Sequence, residues 1–489
     1  MKHLLLALLC VFAATCLAQA DHTDTPALPN KPGASYVTEL IDVINAGDTR
    51  RAEAFIKKNF APTFLDRFPM TMHTDFMRDV NEQQGTLTFH SSRDYQQPLP
   101  QSEMVAIVKT ARTEQWQALS VYITAEPPYL ISGLRMSSAH PPSNLPRREL
   151  TLPQALTELD AYVKRMAEKD VFSGTVLLAQ GDKVLYKAAH GLASKRFNVP
   201  NNLQTRFNLG SMNKMFTATA TLQLVEKGKL KLTDKLSQFV DNNWLASDVS
   251  DKIEIRHLLS HTSGLGSYFN QTYMDTSKSK FRTLDDYKPL IKDETLRFEP
   301  GSRFGYSNTG MLMLGVVIEK VSGMDYFEYI HEHIYQPAGM NHSDSYAMDQ
   351  PVVNLAIGYE RDRANATGWR NNLYQHVLKG GPAGGGFSTV EDLHRFATAL
   401  TNYKLLSKSL TETLYSAKPQ LNSPSYGYGF SVRGAPDNRV VGHGGGFDGI
   451  SSNLDIYLDQ GYVIAVMSNY SSGARPVEGK IRELLALLE

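Results

Sequence analysis

The stretch "SGTVLLAQGDKVLYKAAHG", residues 173–191, predicts a β-hairpin, because two apolar runs flank a Gly-Asp pair at 181 and 182. Four more strand-like segments lie near the other end of the chain: "YGYGFSVRG", "NRVVGHGGG", "ISSNLDIYL" and "YVIAVMSNY". The residues between the two groups, to about Leu400, have mostly helical patterns, and the amphipathic "PVEGKIRELLALLE" follows the last strand. This order predicts one sheet assembled from distant parts of the chain.

A different pattern precedes the hairpin. "SYVTELIDVINAGD" predicts a helix that ends at Gly47, and a second helix is predicted around "RRAEAFIKKNF". The apolar period then changes to two in "GTLTFHSS", "EMVAIVKTA" and "WQALSVYITA", which predict consecutive antiparallel strands. We therefore expect a small, non-catalytic α+β roll over residues 35–136. A Pro-rich linker is predicted over 137–150, and a second domain over 151–489, which begins with the helical "LPQALTELDAYVKRMAE".

The first twenty residues, "MKHLLLALLCVFAATCLAQA", predict a secretory signal peptide. A basic Lys2, an apolar run and a small-residue ending are typical of such segments. The apolar run is too short for a membrane span. Cleavage after Ala20 predicts a periplasmic or secreted protein without a transmembrane segment in the mature chain. Residues 21–34 are predicted to form a disordered leader.

Both cysteines, Cys10 and Cys16, lie inside the predicted signal peptide. A cleaved chain would therefore contain neither a disulfide nor a thiol nucleophile. Lipid attachment at Cys16 is the alternative, against which the preceding Thr15 argues.

Composition restricts the class of partner. The 489 residues are 42 % hydrophobic and 20 % charged, which is typical of a globular protein. Fifty basic and fifty acidic side chains cancel, so the chain has no overall field to attract nucleic acid or an anionic membrane. A small-molecule ester, amide or peptide substrate fits better, and no pattern calls for a cofactor. The oligomeric state is left open.

"NLGSMNKMFTATATLQLV", residues 208–225, places Ser211 and Lys214 one turn apart at the start of an apolar helix. The chain contains two Ser-x-x-Lys pairs, about the number expected by chance, and the second, Ser277 to Lys280, precedes no apolar helix. A buried lysine loses proton affinity and can accept the proton of a nucleophilic serine. The alternative interpretation is a helix-capping serine followed by a solvated lysine.

Two further motifs accompany this pair. "FEPGSRFGYSNTGMLMLGVVIEKVSG" places Tyr306 and Asn308 just before an apolar helix, whereas a second Tyr-x-Asn, Tyr268 to Asn270, lies in a loop. A phenol beside an ammonium group can have a depressed pKa and share in proton transfer, and an amide can hold a carbonyl and the lysine in place. "VVGHGGGFDG" predicts that His443 ends a strand whose following glycines let the backbone approach a ligand closely.

With these three motifs in this order, the sequence resembles the serine hydrolases of the β-lactamase/penicillin-binding-protein family. The nearest branch looks like class C β-lactamases, D-Ala-D-Ala carboxypeptidases, D-aminopeptidases and family VIII esterases. "LLSHTSGL" (258–265), "PGSRFGYSN" (300–308) and "GGGFSTVEDLHRF" (384–396) match as well, and the resemblance covers about residues 155–488. It implies an α/β (α+β) β-lactamase/transpeptidase-like domain, an antiparallel sheet with helices on both sides. The preceding roll resembles the cystatin-like rolls fused to some secreted members.

The resemblance also implies roles for individual residues. Ser211 would attack a carbonyl to give an acyl-enzyme, with Lys214 and Tyr306 as the general-base pair, and which of the two accepts the first proton is left open. Asn308 would orient the substrate, and His443 with Gly444 and Gly445 would line the third side of the site. The N–H groups of Ser211 and Gly446 would bind the oxyanion.

The third motif departs from the Lys-Thr-Gly of many β-lactamases. A lysine there supplies a fixed positive charge for a substrate carboxylate, whereas His443 can be neutral at pH 7 and Gly444 lacks a hydroxyl. We therefore expect a peptidase or esterase rather than a β-lactamase proper. A non-catalytic pseudo-enzyme that binds penicillin or cell-wall peptide is the other alternative.

Two competing motifs are rejected. His331 and His333 lie two residues apart, whereas a zinc-protease helix needs a spacing of four, so no metal site is predicted. Around Ser307, Thr309 stands where the Gly-x-Ser-x-Gly elbow of α/β-hydrolases needs a glycine.

Overall fold

The computed structural model describes residues 22–95, 99, 102–146, 148–435 and 437–488. The predicted signal peptide and its two cysteines lie outside these residues. Contacts divide the chain into two compact units: unit 1 runs to Val171 and resumes at Gly479, and unit 2 is Phe172–Glu478. The predicted domain boundary at 151 stays a prediction. Over the described part of the chain, no helix combines the length and the apolar character needed to cross a bilayer.

Unit 1 contains a five-stranded antiparallel sheet in the order β1-β2-β3-β4-β5. Its strands are β1 (His22–Thr25), β2 (Leu87–Tyr95), β3 (Glu103–Thr110), β4 (Trp116–Ile123) and β5 (Ile131–Ser138). The predicted meander of three strands is confirmed as β2, β3 and β4.

The helices of unit 1 are α1 (Ala34–Ala46), α2 (Thr49–Asn59), α3 (Pro62–Arg67), α4 (Met70–Gln84) and α5 (Leu152–Glu168). The predictions of α1, α2 and α5 are confirmed, and α1 ends at Gly47, which has a left-handed φ of 61°. Helix α4 was not predicted. It buries only His73, Thr74 and Met77, so its sequence carries almost no apolar period.

Strand β1 differs from the prediction of a disordered leader over residues 21–34. Asp24 lies in β1 and accepts two hydrogen bonds from the Arg93 guanidinium of β2, from Nε and Nη2 at 2.9 Å each. The Ser143 backbone N–H donates to the same carboxylate at 2.8 Å. Burial raises the pKa of Asp24, but these partners lower it to below its usual value. Because residues 21–34 are mostly polar, no apolar pattern predicts this strand.

Asp24→Ala should weaken the β1–β2 pairing, because it leaves the buried Arg93, which is 4 % exposed, without its carboxylate. Losing one partner of a buried ion pair costs up to about 3 kcal/mol here, so amide exchange in β2 should become about 100-fold faster. Hydrogen–deuterium exchange of the mature chain measures this. Asp94→Ala, at the exposed neighbouring position of β2, is the control. Equal exchange in the two variants would contradict the prediction.

Unit 2 is built on a six-stranded antiparallel sheet in the order β14-β15-β16-β17-β6-β7. The predicted joining of distant strands is confirmed, since the first hairpin pairs with the last strand of the chain. The strands of unit 2 are β6 (Gly174–Gln180), β7 (Lys183–His190), β8 (Leu192–Ser194), β9 (Val199–Pro200), β10 (Phe207–Asn208), β11 (Tyr359–Arg361), β12 (Trp369–Asn371), β13 (Phe387–Ser388), β14 (Ser431–Arg433), β15 (Val440–Phe447), β16 (Ile450–Tyr457) and β17 (Tyr462–Ser468).

The helices that follow are α6 (Asn213–Glu226), α7 (Ser247–Ser250), α8 (Ile255–Leu259), α9 (Gln271–Asp275), α10 (Lys288–Ile291), α11 (Asn308–Ser322), α12 (Tyr326–Ile330), α13 (Gln336–Ala338), α14 (Val390–Thr401), α15 (Lys408–Tyr415) and α16 (Ala474–Leu485). Helix α16 confirms the predicted closing helix. Helix α6 packs against α11 and α15, and α14 packs against β6 and β17. A single apolar core joins these helices to the sheet and surrounds α6.

Candidate active site

Ser211 lies in a 3₁₀ turn, Gly210–Met212, that leads directly into α6. Lys214 Nζ is 3.0 Å from Ser211 Oγ and 2.5 Å from the carbonyl oxygen of Ala383. The Lys214 side chain is 0 % exposed. The alternative of a capping serine and a solvated lysine is therefore wrong for this pair.

Helix α6 is buried on all sides from Asn213 to Leu224, rather than along one apolar stripe. Its threonines fit this environment because their hydroxyls have acceptors: Thr219 donates to the Met215 carbonyl at 2.8 Å, and Thr221 donates to the Thr217 carbonyl at 2.8 Å. The helix is thereby fixed in the core, and it holds Lys214 away from water.

Three successive carbonyls of the loop 380–386, "GGPAGGG", accept hydrogen bonds from side chains of α6. Gly381 accepts from Asn213 Nδ2 at 3.1 Å, Pro382 from Thr217 Oγ1 at 2.8 Å, and Ala383 from Lys214. We call these residues the carbonyl loop. It orients Lys214 through the Ala383 carbonyl oxygen. Any residue type supplies such an oxygen, so no side-chain pattern predicted this role.

Strand β15 approaches the Ser211 turn so closely that only glycine fits. A Cβ on Gly445 would lie 1.9 Å from the Leu209 carbonyl oxygen, and one on Gly210 would lie 2.9 Å from the Gly446 nitrogen. Gly210 also has a left-handed φ of 51°. The backbones that carry the Ser211 and Gly446 N–H groups are therefore adjacent, as an oxyanion hole requires. The strand extends past His443 to Phe447, whereas the sequence predicted an end at His443.

Tyr306 is half-buried just before α11, with Lys214 Nζ 4.8 Å from its ring centroid. The expected depressed pKa is wrong. Burial raises the pKa of the Tyr306 phenol above its ordinary value, and a hydrogen bond with Ser211 offsets this only in part. Tyr306 is thus a neutral phenol that contacts the Ser211 hydroxyl.

His261 is a residue of this site that the sequence reasoning missed, although it lies in the matching stretch "LLSHTSGL". It is fully buried, and its ring centroid lies 4.3 Å from that of Tyr306. Its Nδ1 accepts a hydrogen bond from the Ser307 N–H at 3.2 Å, and its carbonyl accepts one from the Gly305 N–H at 2.7 Å. His261 therefore holds the backbone on both sides of Tyr306. Burial lowers the pKa of its imidazole well below the usual value, so the ring is neutral.

Asn308 begins α11, and its amide donates to Ser267 Oγ at 3.0 Å. Ser307 caps the helix by accepting from the Gly310 N–H at 2.8 Å. The amide thus joins the start of α11 to the loop that follows "LLSHTSGL", and its predicted contact with substrate stays a prediction.

His443 is 8 % exposed, and both of its ring nitrogens have partners. Nδ1 is 2.5 Å from the Gly444 carbonyl oxygen and Nε2 is 3.1 Å from the Tyr426 hydroxyl. A carbonyl only accepts, so Nδ1 carries the proton and Nε2 accepts from Tyr426. Burial lowers the pKa of His443 to about 3, so the ring is neutral at pH 7. The third motif therefore carries no positive charge.

Burial alone lowers the pKa of Lys214 well below its ordinary 10.5. The protonated amine donates to both Ser211 Oγ and the Ala383 carbonyl. In its neutral form, which a lowered pKa favours, Nζ has a lone pair to which the Ser211 hydroxyl can donate while Nζ still donates to Ala383. The arrangement can transfer a proton from Ser211 to Lys214 over one hydrogen bond.

The pH dependence of kcat/KM should follow this lysine. A general base works in its deprotonated form, so activity rises as pH passes upward through the pKa of Lys214 and is constant above it. Because that pKa is well below 10.5, the plateau should begin well below pH 10.5. The measurement is kcat/KM for an aryl ester at constant ionic strength. A rate that still rises with a midpoint near 10.5 would contradict a buried, neutral lysine.

The duplicate motifs have structural roles. Ser277 bonds to Ser279 in an exposed turn, at 2.8 Å between hydroxyls. Tyr268 is buried among aromatic rings, and Asn270 caps α9 by accepting from the Tyr273 N–H at 3.0 Å. His333 stacks on Tyr329 at 4.2 Å, and the described residues contain no cluster of three or more potential metal ligands.

The chain is similar to proteins of one known family. The family model described as Beta-lactamase matches residues 159–489. Penicillin-binding protein 4* of Bacillus subtilis (strain 168) is 33% identical over 325 residues, which cover 64% of this chain and 71% of that protein.

Two solved structures are similar as well. The penicillin binding protein from Bacillus halodurans has a TM-score of 0.60 and 31% identity, covering 69% of this chain and 99% of that one. A D-stereospecific amidohydrolase from Streptomyces sp. has a TM-score of 0.53 and 26% identity, covering 66% and 96%. These likenesses confirm the predicted fold class.

Proposed function

The chain belongs to the beta-lactamase family, and from that premise we propose that it is an exported serine hydrolase that cleaves an ester or amide through an acyl-enzyme on Ser211. The observation that carries this proposal is the 3.0 Å contact between Ser211 Oγ and the fully buried amine of Lys214. A pseudo-enzyme has no need for a desolvated base against its serine.

In the first step, Ser211 Oγ bonds to the substrate carbonyl carbon while its proton passes to Lys214 Nζ. We assign the first proton to Lys214 because burial lowers its pKa, which favours the neutral form that can accept a proton. Tyr306 keeps its own proton, since burial raises the pKa of its phenol. The negative charge that develops on the carbonyl oxygen is stabilised by the N–H groups of Ser211 and Gly446.

In the second step, the tetrahedral intermediate collapses and the bond to the leaving group breaks. Tyr306 contacts Ser211 and lies over Lys214. It therefore donates its phenolic proton to the leaving oxygen or nitrogen and regains one from the Lys214 ammonium. Water then attacks the acyl-enzyme and gives a proton to the same pair. When the bond between Ser211 Oγ and the acyl carbon breaks, the pair returns that proton to Oγ and the acid leaves.

The neutral third motif argues against β-lactam hydrolysis as the physiological role. A β-lactam antibiotic carries a carboxylate, which a cation stabilises. Both nitrogens of His443 are engaged with Gly444 and Tyr426, so the ring supplies neither a charge nor an unpaired donor. Esters and amides without a carboxylate at this position fit better. Among the relatives, the Streptomyces protein is named a D-stereospecific amidohydrolase.

Two experiments on the purified mature chain test the proposal. A fluorophosphonate probe should label the protein, and mass spectrometry of the digest should locate the adduct at Ser211. A substrate panel of aryl esters, D-alanyl-D-alanine peptides, D-amino-acid amides and a chromogenic cephalosporin then identifies the reaction, with the cephalosporin expected to be slowest. Labelling at another residue, or acylation without turnover on all four classes, would contradict the proposal.

Export is tested by expressing the full chain. The mature N-terminus should be Asp21. If the product also partitions into the aqueous phase of a detergent extract, lipid attachment at Cys16 is excluded. A membrane-bound product that retains Cys16 would contradict cleavage after Ala20.

A further inference from the structure

Strand β15 places three residues in sequence on one face. Side chains of a strand alternate between faces, so His443, Gly445 and Phe447 point to the same side. The Ser211 turn occupies the space that a side chain at Gly445 would need, because the Leu209 carbonyl lies where a Cβ would be. His443 and Phe447 therefore flank this turn on opposite sides.

Phe447 meets a second aromatic ring there. Its ring stacks on Phe269, with centroids 5.9 Å apart and an interplanar angle of 24°. Both side chains are half-buried. Phe269 is supported from behind by Tyr268 and Tyr273, at 4.6 and 4.8 Å between centroids. The two phenylalanines thus form an apolar surface that is packed from behind and still partly open to solvent.

Each of the two chain segments that form this surface also carries a residue of the active site. Phe447 follows Gly446, whose N–H is assigned to the oxyanion. Phe269 lies two residues after Ser267, which accepts the hydrogen bond from Asn308. A substrate carbonyl placed over Ser211 would therefore lie between this surface and the Tyr306 side.

The proton donor determines which part of the substrate reaches which side. Tyr306 and His443 lie together, with ring centroids 6.3 Å apart. The leaving group must depart toward Tyr306 to be protonated, so it occupies the His443 side. The acyl group, on the other side of the carbonyl, extends toward Phe447.

We infer that Phe269 and Phe447 bind the acyl group of the substrate, and that this group is apolar and large enough to contact two rings, such as an arylacetyl or branched aliphatic acyl group. This inference rests on the proposed function and adds its substrate class. Contact with two aromatic rings gains affinity for such a group through burial of apolar surface.

The test compares p-nitrophenyl phenylacetate with p-nitrophenyl acetate, which share a leaving group, with each kcat/KM divided by the rate of hydroxide hydrolysis. The native chain should prefer the phenylacetyl ester by about tenfold. Phe447→Ala and Phe269→Ala should each lower this ratio severalfold. Phe197→Ala is the control, since Phe197 is 70 % exposed between β8 and β9.

Fluorophosphonate labelling distinguishes a failure of this inference from a failure of the proposed function. If Ser211 is labelled in every variant and the ratio is the same in all of them, the inference is overturned and the proposed function stands. If the native chain is not labelled at Ser211, the proposed function itself fails. Where ester turnover is slow, the rates of inactivation by benzyl and methyl phosphonates give the same ratio, so the comparison remains decisive.

Discussion

Ser211→Ala should lower kcat for an aryl ester by about 10⁴-fold or more and abolish fluorophosphonate labelling. The substitution removes the hydroxyl that bonds to the carbonyl carbon in the proposed reaction, while the Lys214 amine keeps its hydrogen bond to Ala383. The fold should not change, because Ser211 makes no helix-capping bond. The measurement is steady-state hydrolysis beside circular dichroism of the same sample.

The chain supplies a matched control in its second Ser-x-x-Lys pair. Ser277→Ala removes a hydroxyl that bonds to Ser279 in an exposed turn, so hydrolysis and labelling should match the native chain. Ester hydrolysis that survives in Ser211→Ala would end the assignment of Ser211 as the nucleophile.

Lys214→Met should reduce kcat by about 10³-fold, because the Ser211 hydroxyl then has no proton acceptor. Methionine is similar in length and apolar, so it suits a position that is 0 % exposed. The Ala383 carbonyl loses its donor, which costs about 1–3 kcal/mol of the free energy of unfolding. Single-turnover acylation should slow by the same factor as kcat, which locates the defect in proton transfer.

Lys418 separates the loss of a buried amine from the loss of a base. It is 4 % exposed and donates to the Thr413 carbonyl at 2.7 Å, outside the site. Lys418→Met should lower stability but leave the kcat of folded protein near the native value. If both variants lost activity equally, or if Lys214→Met kept native kcat, the role of Lys214 as the base would be wrong.

The elements that the sequence predicted best are those whose side chains carry the pattern. Two apolar runs around a turn predicted β6 and β7, and four strand-like segments predicted β14 to β17 at the far end, so their union in one sheet followed. Ser211, Lys214 and Tyr306 could be named because hydroxyl, amine and phenol are chemically distinct side chains. The structure brings these three together around the start of α6.

The parts that the sequence did not predict depend on backbone position. The Ala383 carbonyl orients Lys214, but every residue has a carbonyl, so only the path of the loop 380–386 assigns the role. His261 acts through hydrogen bonds to the backbone beside Tyr306. Strand β1 is held by one ion pair between Asp24 and Arg93, which no periodicity reveals.

Burial also reversed one expectation about charge. The sequence placed a phenol beside an ammonium group, for which a depressed tyrosine pKa is the usual result. In the folded chain, burial is the largest influence on both pKa values. It raises the pKa of Tyr306 and lowers that of Lys214, so it favours the neutral form of each group.

The contact between β15 and the Ser211 turn also restricts which point mutations this protein can accumulate. A methyl group on Gly445 would overlap the Leu209 carbonyl at 1.9 Å, so a larger residue there would displace the Ser211 turn. Phe269 and Phe447 are half-buried rim side chains that smaller residues can replace without moving the main chain. Single substitutions at Phe269 and Phe447 can therefore change the substrate specificity while the position of the reactive serine is unchanged.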